Sequence, residues 1–121
     1  EALSVLNDPK FSYIFDKNVL SEVPFSAHLP NLKNQKIYGI IDRLIIGSNS
    51  VQIIDFKTNS TVPKTVDNIP LGILRQMAAY RLAIKEIFPD KEVGCYILWT
   101  AIRKLDFIKK DLLDYNNLDS S

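Results

Sequence analysis

The chain has one cysteine, Cys95, so it cannot form an intramolecular disulfide, and it cannot hold an iron–sulfur cluster or a structural zinc ion on its own thiols. A small core residue is the expected role for Cys95. It has one histidine, His28, in the polar stretch Ala-His-Leu-Pro-Asn-Leu. No second ligand stands at metal-binding spacing from it, so His28 reads as a surface residue. Charge of one sign is also missing: 15 basic against 14 acidic residues leave a net +1, which says little about partners because a nucleic-acid surface needs only local basic groups. No apolar run approaches the roughly 20 residues of a bilayer span and no signal-peptide pattern opens the chain, which leads to the expectation of a cytoplasmic protein with no membrane contact. A Gly-Lys-Ser/Thr phosphate loop is absent, so these residues do not encode ATP hydrolysis. With 121 residues, 46% of them hydrophobic, the chain can build one core but not two, and a single domain is expected over 1–121.

The chemistry is concentrated between Gly39 and Lys57. Residues 37–46 and 50–55 are both rich in β-branched side chains, and Gly-Ser-Asn-Ser lies between them, which predicts a hairpin. Side chains two apart share a face of a strand, so Asp55 and Lys57 point the same way. Antiparallel pairing about the turn brings Asp42 alongside Asp55, within the span over which one divalent cation binds two carboxylates. An aspartate inside Gly-Ile-Ile-Asp-Arg-Leu-Ile-Ile carries a desolvation cost that an ion pair or a cation must offset. Asp42 or Asp55 could pair with Arg43 or Lys57; the pattern as a whole favours a metal. Lys57 is either a solvated strand-end lysine or a group that orients a water and neutralises charge on a phosphate. The cations nearest this region are Arg43, Lys57, Lys64, Arg75 and Arg81, a spread that is common on soluble domains.

Around this centre, residues 1–18 carry Phe11, Tyr13 and Phe15 and predict a short helix or turn with an aromatic face on the core. Residues 19–26 predict an edge strand, because Pro24 cannot donate to a ladder, with Glu22 as a further inward acid or a solvent-facing edge residue. After a polar loop from Thr58, residues 71–88 predict the longest helix, with Ile73, Met77, Tyr80, Ile84 and Ile87 as its buried stripe. Gln76 and Tyr80 are four apart and share one side of it; by spacing alone they read as a half-exposed residue and a core-edge aromatic. Residues 92–100 predict a fourth strand, parallel to the Asp55 strand through a βαβ crossover. The last twenty residues predict an extension and a terminal helix, frayed over 116–121. The fold class is therefore α/β, a mixed sheet combining an antiparallel hairpin with a βαβ crossover and flanked by helices.

The ordered set Ser-Glu-Val-Pro-Phe at 21–25, Gly-Ile-Ile-Asp-Arg-Leu at 39–44, Ile-Asp-Phe-Lys-Thr-Asn at 54–59, Leu-Arg-Gln-Met-Ala-Ala-Tyr-Arg at 74–81 and Leu-Trp-Thr at 98–100 resembles the PD-(D/E)XK nuclease superfamily. Within it the set is similar to the RecB-type nuclease domain, and in particular to the C-terminal nuclease domain of the AddA family of bacterial helicase–nucleases. The resemblance implies a restriction-endonuclease-like fold and Mg²⁺-dependent hydrolysis of DNA phosphodiester bonds, with Mn²⁺ as a second candidate ion. Asp42, Asp55 and the Phe56 carbonyl would be metal ligands and Lys57 the catalytic lysine. Glu22 would match a recurring upstream glutamate, and Gln76, Tyr80, Arg43 and Thr58 would contact DNA. It also implies an AddB-type partner subunit, a role in double-strand-break repair and recombination, and a longer parent chain that carries the ATP-binding helicase. RecB-type domains usually carry a metal-ligating histidine on a helix upstream of the glutamate strand; this chain begins after that point, and His28, which follows Glu22, cannot be that residue. A fragment without it is expected to bind metal weakly. Two other readings compete: a non-catalytic DNA-binding or structural module that keeps the nuclease fold, and an independent nuclease such as a resolvase or restriction enzyme.

Overall fold

A computed structural model describes residues 9–16, 19–29, 35–59 and 61–118, with the side chains of 27–29, 35, 37 and 115–118 excepted. A 3₁₀ helix, Pro9–Phe15, is followed by β1 (Leu20–Leu29), β2 (Gln35–Ile46) and β3 (Ser50–Lys57). A 3₁₀ turn at Val66–Asn68 leads into α1 (Leu71–Ile87), then β4 (Glu92–Trp99), β5 (Lys104–Ile108) and α2 (Lys110–Leu118). The five strands form one sheet in the order β1-β2-β3-β4-β5, antiparallel except for the parallel β3–β4 pair. This is the mixed α/β sheet expected, an antiparallel hairpin joined to a βαβ crossover and flanked by helices.

The hairpin forms where expected. Gly47 N–H donates to the Ser50 carbonyl at 2.7 Å, closing a turn that pairs Ile46 with Val51 and Arg43 with Ile54. The 17-residue α1 carries the chain back across the sheet, so that β4 starts beside β3 with Ser50 opposite Glu92 and ends with Lys57 opposite Trp99. Period-two alternation then sorts β3 and β4. Val51, Ile53, Cys95, Ile97 and Trp99 join the core beneath α1, while Ile54 and Leu98 meet Phe11 and Ile14 of the opening 3₁₀ helix on the other face. Complete burial of an isoleucine such as Ile14 is worth about 2 kcal/mol, enough to fasten that short segment to the sheet.

Several expectations need correction. β1 runs on to Leu29, so the backbone of His28 is strand rather than loop; its side chain lies outside the described ones. Of the two readings of Glu22, inward acid or solvent-facing edge residue, the second holds: it is exposed and adopts φ 51°, in the left-handed region. Ile87, the last residue of α1, is 62% exposed and outside the buried stripe. β5 was not anticipated; only five residues long, it alternates charged and apolar side chains and is secured by Trp99 Nε1 donating to Asp106 Oδ2 at 2.9 Å. The terminal helix includes Asn116 and Asn117 of the stretch read as frayed, and the rest of that stretch from 119 on lies outside the described residues. Cys95 is buried as expected, and burial pushes its thiol up to about 12, so it is inert near neutral pH. Among the described residues no helix is long and apolar enough to cross a membrane.

Gly39 is a point of close approach. A Cβ there would lie 2.6 Å from Phe25 Cε1 and 3.3 Å from Tyr80 Cε1, and those two rings pack edge to face at 5.1 Å. Gly39→Ala is therefore expected to lower stability by about 1–3 kcal/mol, the clash outweighing the smaller entropic gain of losing a glycine. A urea-melt midpoint at or above that of the parent protein would contradict this reading.

Candidate active site

The β2–β3 ladder carries Arg43 opposite Ile54, and continuing that register sets Asp42 across from Asp55. Local irregularity helps. Ile41 and Leu44 are both buried in the core beneath α1, although three residues apart along a strand they should face opposite ways. The alternation of β2 therefore resets at Asp42 and Arg43. In the neighbouring strand, between the pairs Ser21–Arg43 and Val23–Ile41, Glu22 adopts its left-handed φ. At this break the Asp42 carboxylate takes the place of a ladder acceptor, with Oδ2 receiving the Phe56 backbone N–H at 2.8 Å.

Asp55 is 4% exposed, and its Oδ2 lies 2.9 Å from Lys57 Nζ, as their shared strand face requires. Apart from that ammonium, no hydrogen bond reaches the buried oxygen. Burial raises the Asp55 carboxyl from 3.8 to about 6; Lys57 pulls it down through contact and charge, and Asp42 pushes it up. Two facing carboxylates, one of them buried and short of donors, form a site with unmet demand for positive charge.

Lys57 is shared. Its ammonium also donates to Gln76 Oε1 at 2.9 Å, Gln76 Nε2 donates to the Tyr80 hydroxyl at 2.8 Å, and that hydroxyl donates to the Ile40 carbonyl at 3.1 Å. The chain starts on β3, runs along one side of α1 and ends on β2 two residues before Asp42. Tyr80 is pushed up to about 12, first by burial and then by the charges of Asp55 and Asp42, against a smaller lowering by Gln76, so its hydroxyl remains a donor well beyond neutral pH. At the strand end, Thr100 N–H and Oγ1 hold the Lys57 carbonyl at 2.9 and 3.3 Å.

The structure thus brings together Asp42, Asp55, Phe56, Lys57, Gln76 and Tyr80. It leaves others apart. Glu22 is exposed, and among the described residues no three His, Cys, Asp or Glu side chains gather as a metal-holding group. Thr58 is exposed just beyond the end of β3. Arg81 turns to Asp114 on α2, 3.4 Å away. Arg43 points to the opposite face of the sheet, where its guanidinium lies 5.3 Å from the Phe15 ring centroid and 5.2 Å from that of Phe56. Sequence reasoning missed the Ile40 carbonyl, since a backbone acceptor carries no signal of its own, and Phe15, which it read only as a core aromatic.

The family model of the PD-(D/E)XK nuclease superfamily matches residues 9–110, most of the chain. The chain belongs to the PD-(D/E)XK nuclease superfamily. No curated relative matches it. Membership supplies the general chemistry: a nuclease acting on DNA, in a superfamily that generally uses divalent metal ions. The donor set fits such an ion. Hard carboxylate oxygens suit a hard cation, and Mg²⁺, which keeps several of its waters, needs only one or two carboxylates from the protein. The buried Asp55 Oδ2, whose one close cation is Lys57, offers such an ion a carboxylate oxygen with no other hydrogen bond.

Proposed function

We propose that this chain is the RecB-type nuclease domain of an AddA-like helicase–nuclease, hydrolysing phosphodiester bonds of DNA in bacterial double-strand-break repair and recombination. The observation that carries the catalytic part is the facing pair Asp42 and Asp55 with Lys57 on the same sheet face and within 2.9 Å of Asp55. The AddA assignment rests on the five ordered motifs, and with it come the AddB-type subunit, the parent helicase chain, and the reading of residues 1–121 as one domain. Asp42, Asp55 and the Phe56 carbonyl would hold Mg²⁺, or Mn²⁺ in its place. The ion supplies Lewis acidity toward a phosphate oxygen and a bound water of lowered pKa.

The chain's own residues do the rest. Asp42, anchored on the Phe56 N–H, presents its second oxygen to the site. Lys57, steered by Gln76, stands where it can orient the attacking water or offset charge that develops on the phosphate. Gln76 and Tyr80 tie α1 to that lysine and, with Thr58 at the rim, are candidates for contact with the DNA strand. Glu22, opposite Asp42 but turned outward, is placed to act only after a local rearrangement of β1. A non-catalytic module is the second reading, favoured by the lack of a third ligating side chain among the described residues. Linear DNA incubated with the full-length protein and Mg²⁺ separates the two. Cleavage that drops roughly 1,000-fold in Asp42→Ala supports the nuclease; DNA binding without metal-dependent cleavage in the parent protein supports the module instead.

A further inference from the structure

Arg43 was expected to face DNA, but its surroundings give it other work. Its guanidinium, the Phe15 ring and the Phe56 ring stand at the corners of a triangle with sides of 5.3, 5.2 and 5.6 Å, on the face of the sheet away from the acids. From there Arg43 Nη1 donates to the Asp42 carbonyl at 2.9 Å. Asp42 in turn receives the Phe56 N–H on its carboxylate. The contacts therefore close a loop: Arg43 grips the backbone of Asp42 and the ring of Phe56, and the Phe56 peptide grips the Asp42 side chain.

We infer that Arg43 is a positioning residue for the metal site, clamping β2 to β3 from behind so that the Asp42 carboxylate and the Phe56 peptide keep one geometry. This rests on the proposed function and extends it to a residue that touches neither substrate nor metal. The clamp is placed where it is needed. The β2–β3 pairing stops at Arg43–Ile54, so no regular ladder holds Asp42 to Phe56 beyond that point, and β2 has lost its alternation there. Arginine suits the task because a planar guanidinium can lie against rings and donate in its own plane at the same time; a lysine ammonium keeps the charge but does not do both. Phe15 belongs to the opening 3₁₀ helix, whose Phe11 and Ile14 are buried against Ile54 and Leu98, so this segment acts as a backing plate for the site.

The test uses Arg43→Lys and Phe15→Leu in the full-length protein, with three readouts: Mn²⁺ affinity by calorimetry, DNA affinity in Ca²⁺, and thermal melting. Groups that orient metal ligands typically govern about 10–100-fold of metal affinity. Arg43→Lys is expected to weaken Mn²⁺ binding by about 10-fold or more, Phe15→Leu to weaken it less but in the same direction, and DNA affinity to hold in both. Unchanged Mn²⁺ affinity in Arg43→Lys overturns the inference, whether DNA affinity falls, as a direct contact would require, or only the melting temperature does. If the parent protein binds Mn²⁺ at the Asp42 site yet cleaves no DNA, the nuclease proposal fails while the clamp stands; if it binds no Mn²⁺, both fail.

Discussion

Asp55→Asn is expected to make the metal-free protein more stable at pH 7 while eliminating DNA cleavage. Asp55 is 4% exposed and its carboxyl is held up at about 6, chiefly by burial, against 3.8 for an ordinary aspartate. The folded state therefore binds the proton more tightly than the unfolded chain does. Stability is greatest while Asp55 is protonated, declines as pH rises from about 4 to about 6, and carries the full cost of the buried charge above that, on the order of 2 kcal/mol. Asparagine removes the charge and keeps the shape. The gain should appear as a melting temperature several degrees higher at pH 7 and should vanish below about pH 3, where Asp55 is protonated in both the folded and the unfolded state. A mutant that melts at or below the parent at pH 7 would mean that the Lys57 contact outweighs desolvation. Stability given up by a buried, poorly satisfied carboxylate is what a site that exchanges protein stability for ion binding would display.

Lys57→Met should have the second-largest effect. The ammonium contacts both Asp55 and Gln76, and its charge lowers the Asp55 carboxyl. Methionine fills a similar volume without charge or donors. Cleavage in Mg²⁺ is expected to fall roughly 100–1,000-fold, the loss associated with removing one well-placed donor to a developing negative charge. In the metal-free protein the Asp55 carboxyl should titrate above its parent value of about 6, because the largest opposing influences are gone. Carboxyl NMR measures this directly, and an unmoved Asp55 titration would show that Lys57 serves the site without governing its ionisation. Loss of cleavage together with a raised Asp55 titration would give Lys57 two roles: activation of the reaction, and keeping the neighbouring carboxylate charged near neutral pH.

Local periodicity made the central part of the fold and site readable in advance. Two β-branched runs around Gly-Ser-Asn-Ser allow few pairings, and counting back from Ile46 and Val51 sets Asp42 across from Asp55. Alternation puts Lys57 on the Asp55 face, and a helix of 17 residues between strands imposes a parallel β4. Each of these follows from properties of residues close in sequence, which the chain carries however it packs.

Other features arise only when distant segments meet. Gln76 reads on spacing alone as a half-exposed helix residue; it becomes part of the site because the crossover lays α1 over the end of β3, where Lys57 reaches it. Glu22 reads from the sequence as either an inward acid or a solvent-facing edge residue, and its left-handed backbone goes with the outward placement. Arg43, next to an aspartate in a motif, resembles a substrate contact until Phe15, 28 positions earlier, packs against Phe56 and offers it a seat of two rings. The sequence by itself determined the strand register, the shared face of Asp55 and Lys57 and the parallel crossover, because these depend on periods of two and 3.6 residues. The tertiary structure alone decided the hydrogen-bond chain through Gln76 and Tyr80, the direction of Glu22 and the place of Arg43, because those depend on which surfaces come together to exclude water.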